Sequence, residues 1–116
     1  MKPTISFTDW MQLDIRLGTI FEASNPEWSE KLIELHVDFG EEVGKRTIYT
    51  AMRQWKSPGD FVGKQSFFLT NLPPKKMGDH ESEGMILSLD VPNADGNSEP
   101  VVLLFDNIAP NGSSMA

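Results

Sequence analysis

From Ile33 to Phe39 apolar and polar side chains alternate without a break, with Ile33, Leu35, Val37 and Phe39 set against Glu34, His36 and Asp38. A period of two sends successive side chains to opposite faces of an extended chain, so this run is a strand with one buried face. Leu13, Ile15 and Leu17 alternate in the same way with Asp14 and Arg16. Gly18 breaks that phase before Thr19, Ile20 and Phe21 continue extended, which predicts one long strand bulged at the glycine. Arg46 to Met52 makes a third strand, rich in residues that suit a pleated surface, and Gln65 to Thr70 a fourth. Met85 to Leu89 is expected to pair with Val101 to Phe105 across a loop holding Pro92, Asn93, Asp95, Gly96, Asn97 and Pro100. Helices are few and short. Thr8 is placed to cap a turn through Asp9, Trp10 and Met11, with Phe7 and Met11 as a hydrophobic staple. Ser57 followed by Pro58 predicts a helical turn over 58–62 that ends near Gly63. Turns are expected over 25–30, 40–44 and 109–112. Short strands at regular spacing, punctuated by Gly and Pro, point to an all-β fold, a small closed barrel.

With 116 residues, of which 39% are hydrophobic, the chain suits a single domain, 1–116, with its core over about 7–112. No cysteine is present, which excludes disulfides, thiolate metal sites and cysteine nucleophiles together and is compatible with a reducing compartment. The N-terminus lacks a long apolar run, and no later stretch reaches membrane-spanning length. A soluble, cytoplasmic protein with no membrane partner is expected.

The net charge of -7 opposes generic nucleic-acid binding, but its distribution is uneven. Every Lys and Arg lies at or before Lys76, whereas 77–116 carries only acids: Asp79, Glu81, Glu83, Asp90, Asp95, Glu99 and Asp106. A basic face opposite an acidic one fits this pattern, as does acidity that serves solubility alone. The division falls inside the stretch from Asn71 to Leu87. There Pro73 and Pro74 force an extended exit from the preceding strand, Lys75 and Lys76 are presented on a turn, and Ser82 to Gly84 lead into Met85, Ile86 and Leu87. By itself this is a surface hairpin with two solvated lysines.

Catalytic constellations are weak. His36 lies on the polar phase of a strand and His80 in an acidic loop, without zinc-ligand spacing, so both read as surface histidines. Glu81 and Glu83 read as a solvated charge cluster. The glycines form neither a P-loop nor a dinucleotide fingerprint, and no cofactor or metal is expected.

The segments LDIRLGTI from Leu13, NPEWSEKL from Asn25, VDFG from Val37, KRTI from Lys45, and NLPPKKMG with SEGMIL resemble, in order and spacing, the tRNA-binding domain family. That family includes the C-terminal appendage of methionyl-tRNA synthetase, stand-alone tRNA-binding proteins and a secretion-associated chaperone of the CsaA type. The resemblance implies a five-stranded oligonucleotide-binding barrel, an OB-fold, with short peripheral helices. It also implies a noncatalytic protein that grips folded tRNA by shape and backbone contacts. By motif position Lys31, Arg46, Lys75 and Lys76 would approach phosphates. Asn71, Ser82 and Glu83 would supply polar contacts, and Met85 an apolar surface to a base or ribose. On the residues alone, Met85 also fits core packing, Asn71 a turn that bonds its own backbone, and Arg46 a cross-strand ion pair. Stand-alone relatives are homodimers, which would put Phe7, Trp10, Met11 and Ile108 in an interface. An aminoacyl-tRNA synthetase is an implied partner, and the chaperone branch implies instead an unfolded or precursor polypeptide. Trp28-Ser29-Glu30 departs from the family pattern by setting a carboxylate beside Lys31.

Overall fold

A computed structural model describes all 116 residues. Nine strands and two single-turn helices follow in the order α1 (Phe7–Trp10), β1 (Ile15–Ser24), β2 (Ile33–Asp38), α2 (Gly40–Val43), β3 (Lys45–Thr50), β4 (Gln65–Leu69), β5 (Lys75–Met77), β6 (His80–Ser82), β7 (Met85–Ile86), β8 (Ser88–Pro92) and β9 (Ser98–Val102). The alternating run becomes β2, with Ile33, Leu35 and Val37 fully buried and Glu34, His36 and Asp38 on the outer face.

β2 lies inside a five-stranded antiparallel sheet of order β3-β2-β1-β4-β7, which curls until β7 faces β3. The result is a nearly closed barrel, the oligonucleotide-binding fold that the family resemblance implies. Ile20, Leu35, Val37, Ile48, Phe61 and Phe68 are among the residues that fill it, and Phe39 meets Phe68 edge to face with ring centroids 5.2 Å apart. The β3–β7 seam is not an ordinary ladder. Side chains close it: the Ser82 hydroxyl accepts the Tyr49 N–H at 3.0 Å, and the Glu83 carboxylate accepts the Thr47 N–H at 3.0 Å. The Glu83 N–H returns a bond to the Thr47 carbonyl at 2.9 Å. Gly84 completes the seam at φ 155°, where a Cβ would stand 3.0 Å from the Leu69 carbonyl oxygen. Outside the barrel stand two hairpins, β5–β6 and β8–β9.

Several expectations are corrected. The bulge in β1 falls at Phe21, where register jumps from Ile20↔Val37 to Glu22↔His36, whereas Gly18 stays paired with Ser66. Gly18 is there for closeness, since a Cβ would sit 2.6 Å from Val37 Cγ1 and 2.8 Å from Phe39 Cε1. Ser6, not Thr8, caps α1, its hydroxyl accepting the Asp9 N–H at 3.0 Å. Phe7 and Met11 form no buried staple, because both are exposed. The turn after Phe39 includes α2, and the 3₁₀ turn at Pro58–Asp60 is shorter than expected. Met85–Ile86 pairs with β4 instead of the C-terminal strand, while Leu89↔Val101 does pair, and that ladder runs outward to Pro92↔Ser98. Phe105 instead bridges to Gln65. The C-terminal tail adds to the edge of β1, with the Leu17 N–H bonding the Ser113 carbonyl and the Met115 N–H the Ile15 carbonyl.

Candidate nucleic-acid interface

β2 and β3 present their outer face between two loops, residues 25–32 and the long β4–β7 connection that contains the β5–β6 hairpin. The first loop is fastened from beneath. Arg53 donates to the Leu32 carbonyl at 2.8 Å and the Pro26 carbonyl at 3.1 Å, and the Ser29 hydroxyl accepts the N–H groups of Lys31 and Leu32. Lys31 is thereby held exposed at the loop's end. On the other side, Lys75 and Lys76 lie on strand β5, not on a turn; the turn comes at Gly78-Asp79. Lys75 pairs with Ser82, Lys76 with Glu81 and Met77 with His80, so alternation turns Lys75 and Met77 toward the barrel and Lys76 outward.

Between β3, β7 and the foot of the hairpin runs a groove of about 360 Å³ lined by Leu32, Tyr49, Ala51, Leu72, Lys75 and Met85 among others. Met85 is 47% exposed and forms groove wall instead of core. A more open hollow of about 540 Å³ lies beside it, lined by Lys31, Arg53 and Trp55, and the two meet at Ala51.

The cations of the chain divide into paired and unpaired. Arg16 pairs with Asp14 and Glu42, and Lys64 with Asp106. Lys31, Lys75 and Lys76 have no carboxylate within 4.0 Å. Glu34 lies at the centre of the outer face, accepting the Tyr49 hydroxyl at 2.8 Å and contacting His36 Nε2 at 2.9 Å. Burial opposes its charge, yet these two hydrogen bonds prevail and hold its carboxyl below the ordinary range. Burial, and then the neighbouring carboxylate, push the Tyr49 phenol up to about 12. His36, half-buried against Phe21, is therefore part of a network and not a free surface residue.

The contact residues singled out in the sequence separate into two groups. Lys31, Lys75 and Met85 line the paired hollows, with Lys76 exposed next to them. Arg46, Asn71, Ser82 and Glu83 are all engaged by backbone. Arg46 donates to the Thr70 and Glu83 carbonyls and forms no ion pair. Asn71 accepts the Asp14 N–H and donates to the Gln12 carbonyl, far from its own turn. Glu83, exposed like Glu81, is nevertheless tied into the seam through Thr47, whereas Glu81 bonds nothing by its side chain. Phe7, Trp10 and Met11 line a separate hollow of about 540 Å³ with Leu13 and Met115, and Ile108, also exposed, lies outside it.

Sequence reasoning missed an aromatic group. Trp28 and His80 stack with centroids 4.2 Å apart and planes within 5°, and Tyr49 meets Trp28 edge-on at 5.3 Å. A tryptophan in a polar turn was the available signal; its partner, on the far loop, had none.

Comparison with known proteins bears on the family and the fold. The family described as "Putative tRNA binding domain" matches residues 15–114. The methionine–tRNA ligase of Porphyromonas gingivalis is 41% identical over 106 residues, which make up 91% of this chain but 15% of that protein. The chain therefore spans about 15% of the length of such curated relatives. Among solved structures, a MetRS related protein from Pyrococcus horikoshii superposes with a TM-score of 0.86 at 28% identity, covering 99% of this chain and 100% of its own. Chaperone CsaA from Bacillus anthracis does so with a TM-score of 0.82 at 30% identity, covering 98% and 100%.

Proposed function

Because the chain belongs to the tRNA-binding domain family, we propose that it is a noncatalytic cytoplasmic protein that binds folded tRNA by shape and backbone contacts, as a homodimer. One observation carries this reading: three of the six lysines without carboxylate partners, Lys31, Lys75 and Lys76, bracket the groove on the outer face of β3. A phosphate needs a cation that is not already neutralised, and these satisfy that condition while Arg16 and Lys64 do not. In this reading Met85 offers the apolar contact. Arg46, Asn71, Ser82 and Glu83 act by holding the seam and the loop in shape. Phe7, Trp10 and Met11, with Ile108, cover apolar surface in the dimer, and an aminoacyl-tRNA synthetase is the protein partner.

Filter binding with total tRNA at low and at physiological salt tests the proposal. Affinity is expected to fall steeply with salt, and Lys75→Glu with Lys76→Glu to weaken it roughly tenfold or more and lower the salt slope by about 2. No tRNA binding at low salt would defeat it. Light scattering is expected to give a dimer, and Phe7→Ser with Met11→Ser a monomer.

A second reading, a chaperone for unfolded polypeptide, draws support from the apolar lining of the groove and the likeness to CsaA. It requires client binding that is nearly independent of salt and is lost when Met85 and Leu72 are made polar.

A further inference from the structure

We propose that Trp28 is a base-stacking site, with His80 as the resident ring that an unpaired RNA base displaces. The inference rests on the tRNA-binding reading and adds a contact to it that is independent of phosphate. Trp28 remains 42% exposed although an imidazole lies parallel to it at 4.2 Å. An imidazole is smaller than an indole, so it leaves stacking surface unused that a nucleobase would cover.

The two rings are held very differently. Trp28 sits in the loop that Arg53 fastens through the Pro26 and Leu32 carbonyls, where the Ser29 N–H also bonds the Pro26 carbonyl at 3.3 Å. Tyr49 closes the back of the site, buried and tied by its hydroxyl to Glu34. The indole is therefore pre-positioned, which lowers the ordering cost of binding. His80 instead begins a three-residue strand just past the Gly78-Asp79 turn, where its backbone pairs only with Met77 and its ring meets Tyr49 edge-on at 6.2 Å, farther than the 5.3 Å of Trp28. It is the ring that yields.

Charge complementarity selects the occupant. Lys31 follows Trp28 by three residues, and Lys75 and Lys76 lie on the strand paired with that of His80, all without carboxylate partners. An aromatic platform flanked on two sides by free cations matches a base and its neighbouring phosphates. The nearby acids, Glu27 and Glu30 on one loop and Asp79 and Glu81 on the other, are exposed and oppose a purely electrostatic grip. Stacking supplies affinity that these acids do not oppose.

The test labels the full-length protein with fluorotryptophan, giving one fluorine resonance for each of Trp10, Trp28 and Trp55, with Trp28 assigned through Trp28→Phe. A short single-stranded oligoadenylate is expected to shift the Trp28 resonance, and an abasic oligomer with the same number of phosphates to leave it in place. In filter binding with total tRNA, Trp28→Leu is expected to lose about tenfold at physiological salt with an unchanged salt slope, while Trp28→Phe loses less. His80→Ala is expected to bind at least as tightly as the parent, an outcome that a structural role for the stack does not produce. An equal shift with the abasic oligomer, a shift with an unfolded peptide but not with RNA, or weakened binding by His80→Ala would each overturn the proposal. If tRNA binds and Trp28→Leu matches the parent, stacking fails and the tRNA reading stands. If neither RNA binds at low salt, both fail.

Discussion

The two hairpins outside the barrel are built from similar sequence signals and end up as opposites. β5–β6 is basic at its foot and fastened to the barrel there: Ser82, at the end of β6, holds Tyr49, and Glu83, the next residue, holds Thr47. β8–β9 carries Asp90, Asp95 and Glu99 and leaves Leu89, Val91 and Val101 exposed, with its packing confined mainly to its own two strands until Val102 enters the core. The difference shows where a binding rim takes its rigidity. A two-stranded ribbon is marginal in water, so a hairpin that must hold cations in a fixed place borrows order from the sheet beside it.

The strongest way to break this contrast is Ser82→Ala. It leaves the buried Tyr49 N–H without its acceptor at the seam, and a loss of about 1–3 kcal/mol in urea unfolding is expected. A midpoint equal to that of the parent would show that the seam does not depend on this hydroxyl. Glu83→Ala removes the carboxylate from the exposed Thr47 N–H, which water can reach, so about 0.5–1.5 kcal/mol is expected.

Next in size comes a pH effect on the face between the two loops. The folded Glu34 carboxyl is held below its unfolded value, so its contribution is present above the ordinary glutamate range and is lost as pH falls through the lowered folded value. Tyr49 has the opposite sign: its phenol is raised from 10.0 to about 12, and its contribution is lost as pH rises through that window. Glu34→Gln is expected to flatten the acid side of a stability profile measured by thermal melting and to bring the Tyr49 titration, followed by ultraviolet absorbance, back toward 10.0. An unchanged Tyr49 titration would sever the proposed link.

The same contrast explains what the sequence made legible. β2 was plain because a strand with one wet face writes its burial into every second residue. Gly18 misled because a strand glycine marks either a bulge or a close approach, and the deciding neighbours, Val37 and Phe39, arrive from another strand. Lys31, Lys75 and Lys76 were readable as cations. That Arg46 would be drawn to the Thr70 and Glu83 carbonyls was not, because a guanidinium's partners are set by the closure of the sheet. The Trp28–His80 stack, whose members belong to two different loops, was hidden for the same reason.

The smallest effect is expected where the free hairpin turns. Asn93 organises that turn, its side-chain oxygen accepting the N–H groups of Asp95 and Asn97 and its own N–H bonding the Asn97 carbonyl. Asn93→Ala removes both side-chain bonds at an exposed site, and because the outer part of β8–β9 shares almost nothing with the barrel, global stability is expected to stay within about 0.5 kcal/mol of the parent. Local order is a separate matter. Amide exchange at Val91 and Glu99 is expected to quicken while Leu35 and Phe68 keep their protection, since the opening that exposes the tip does not require the core to open. If the core amides quickened in step, the two hairpins would share one cooperative unit, and the barrel would depend on its acidic arm as much as on its basic rim.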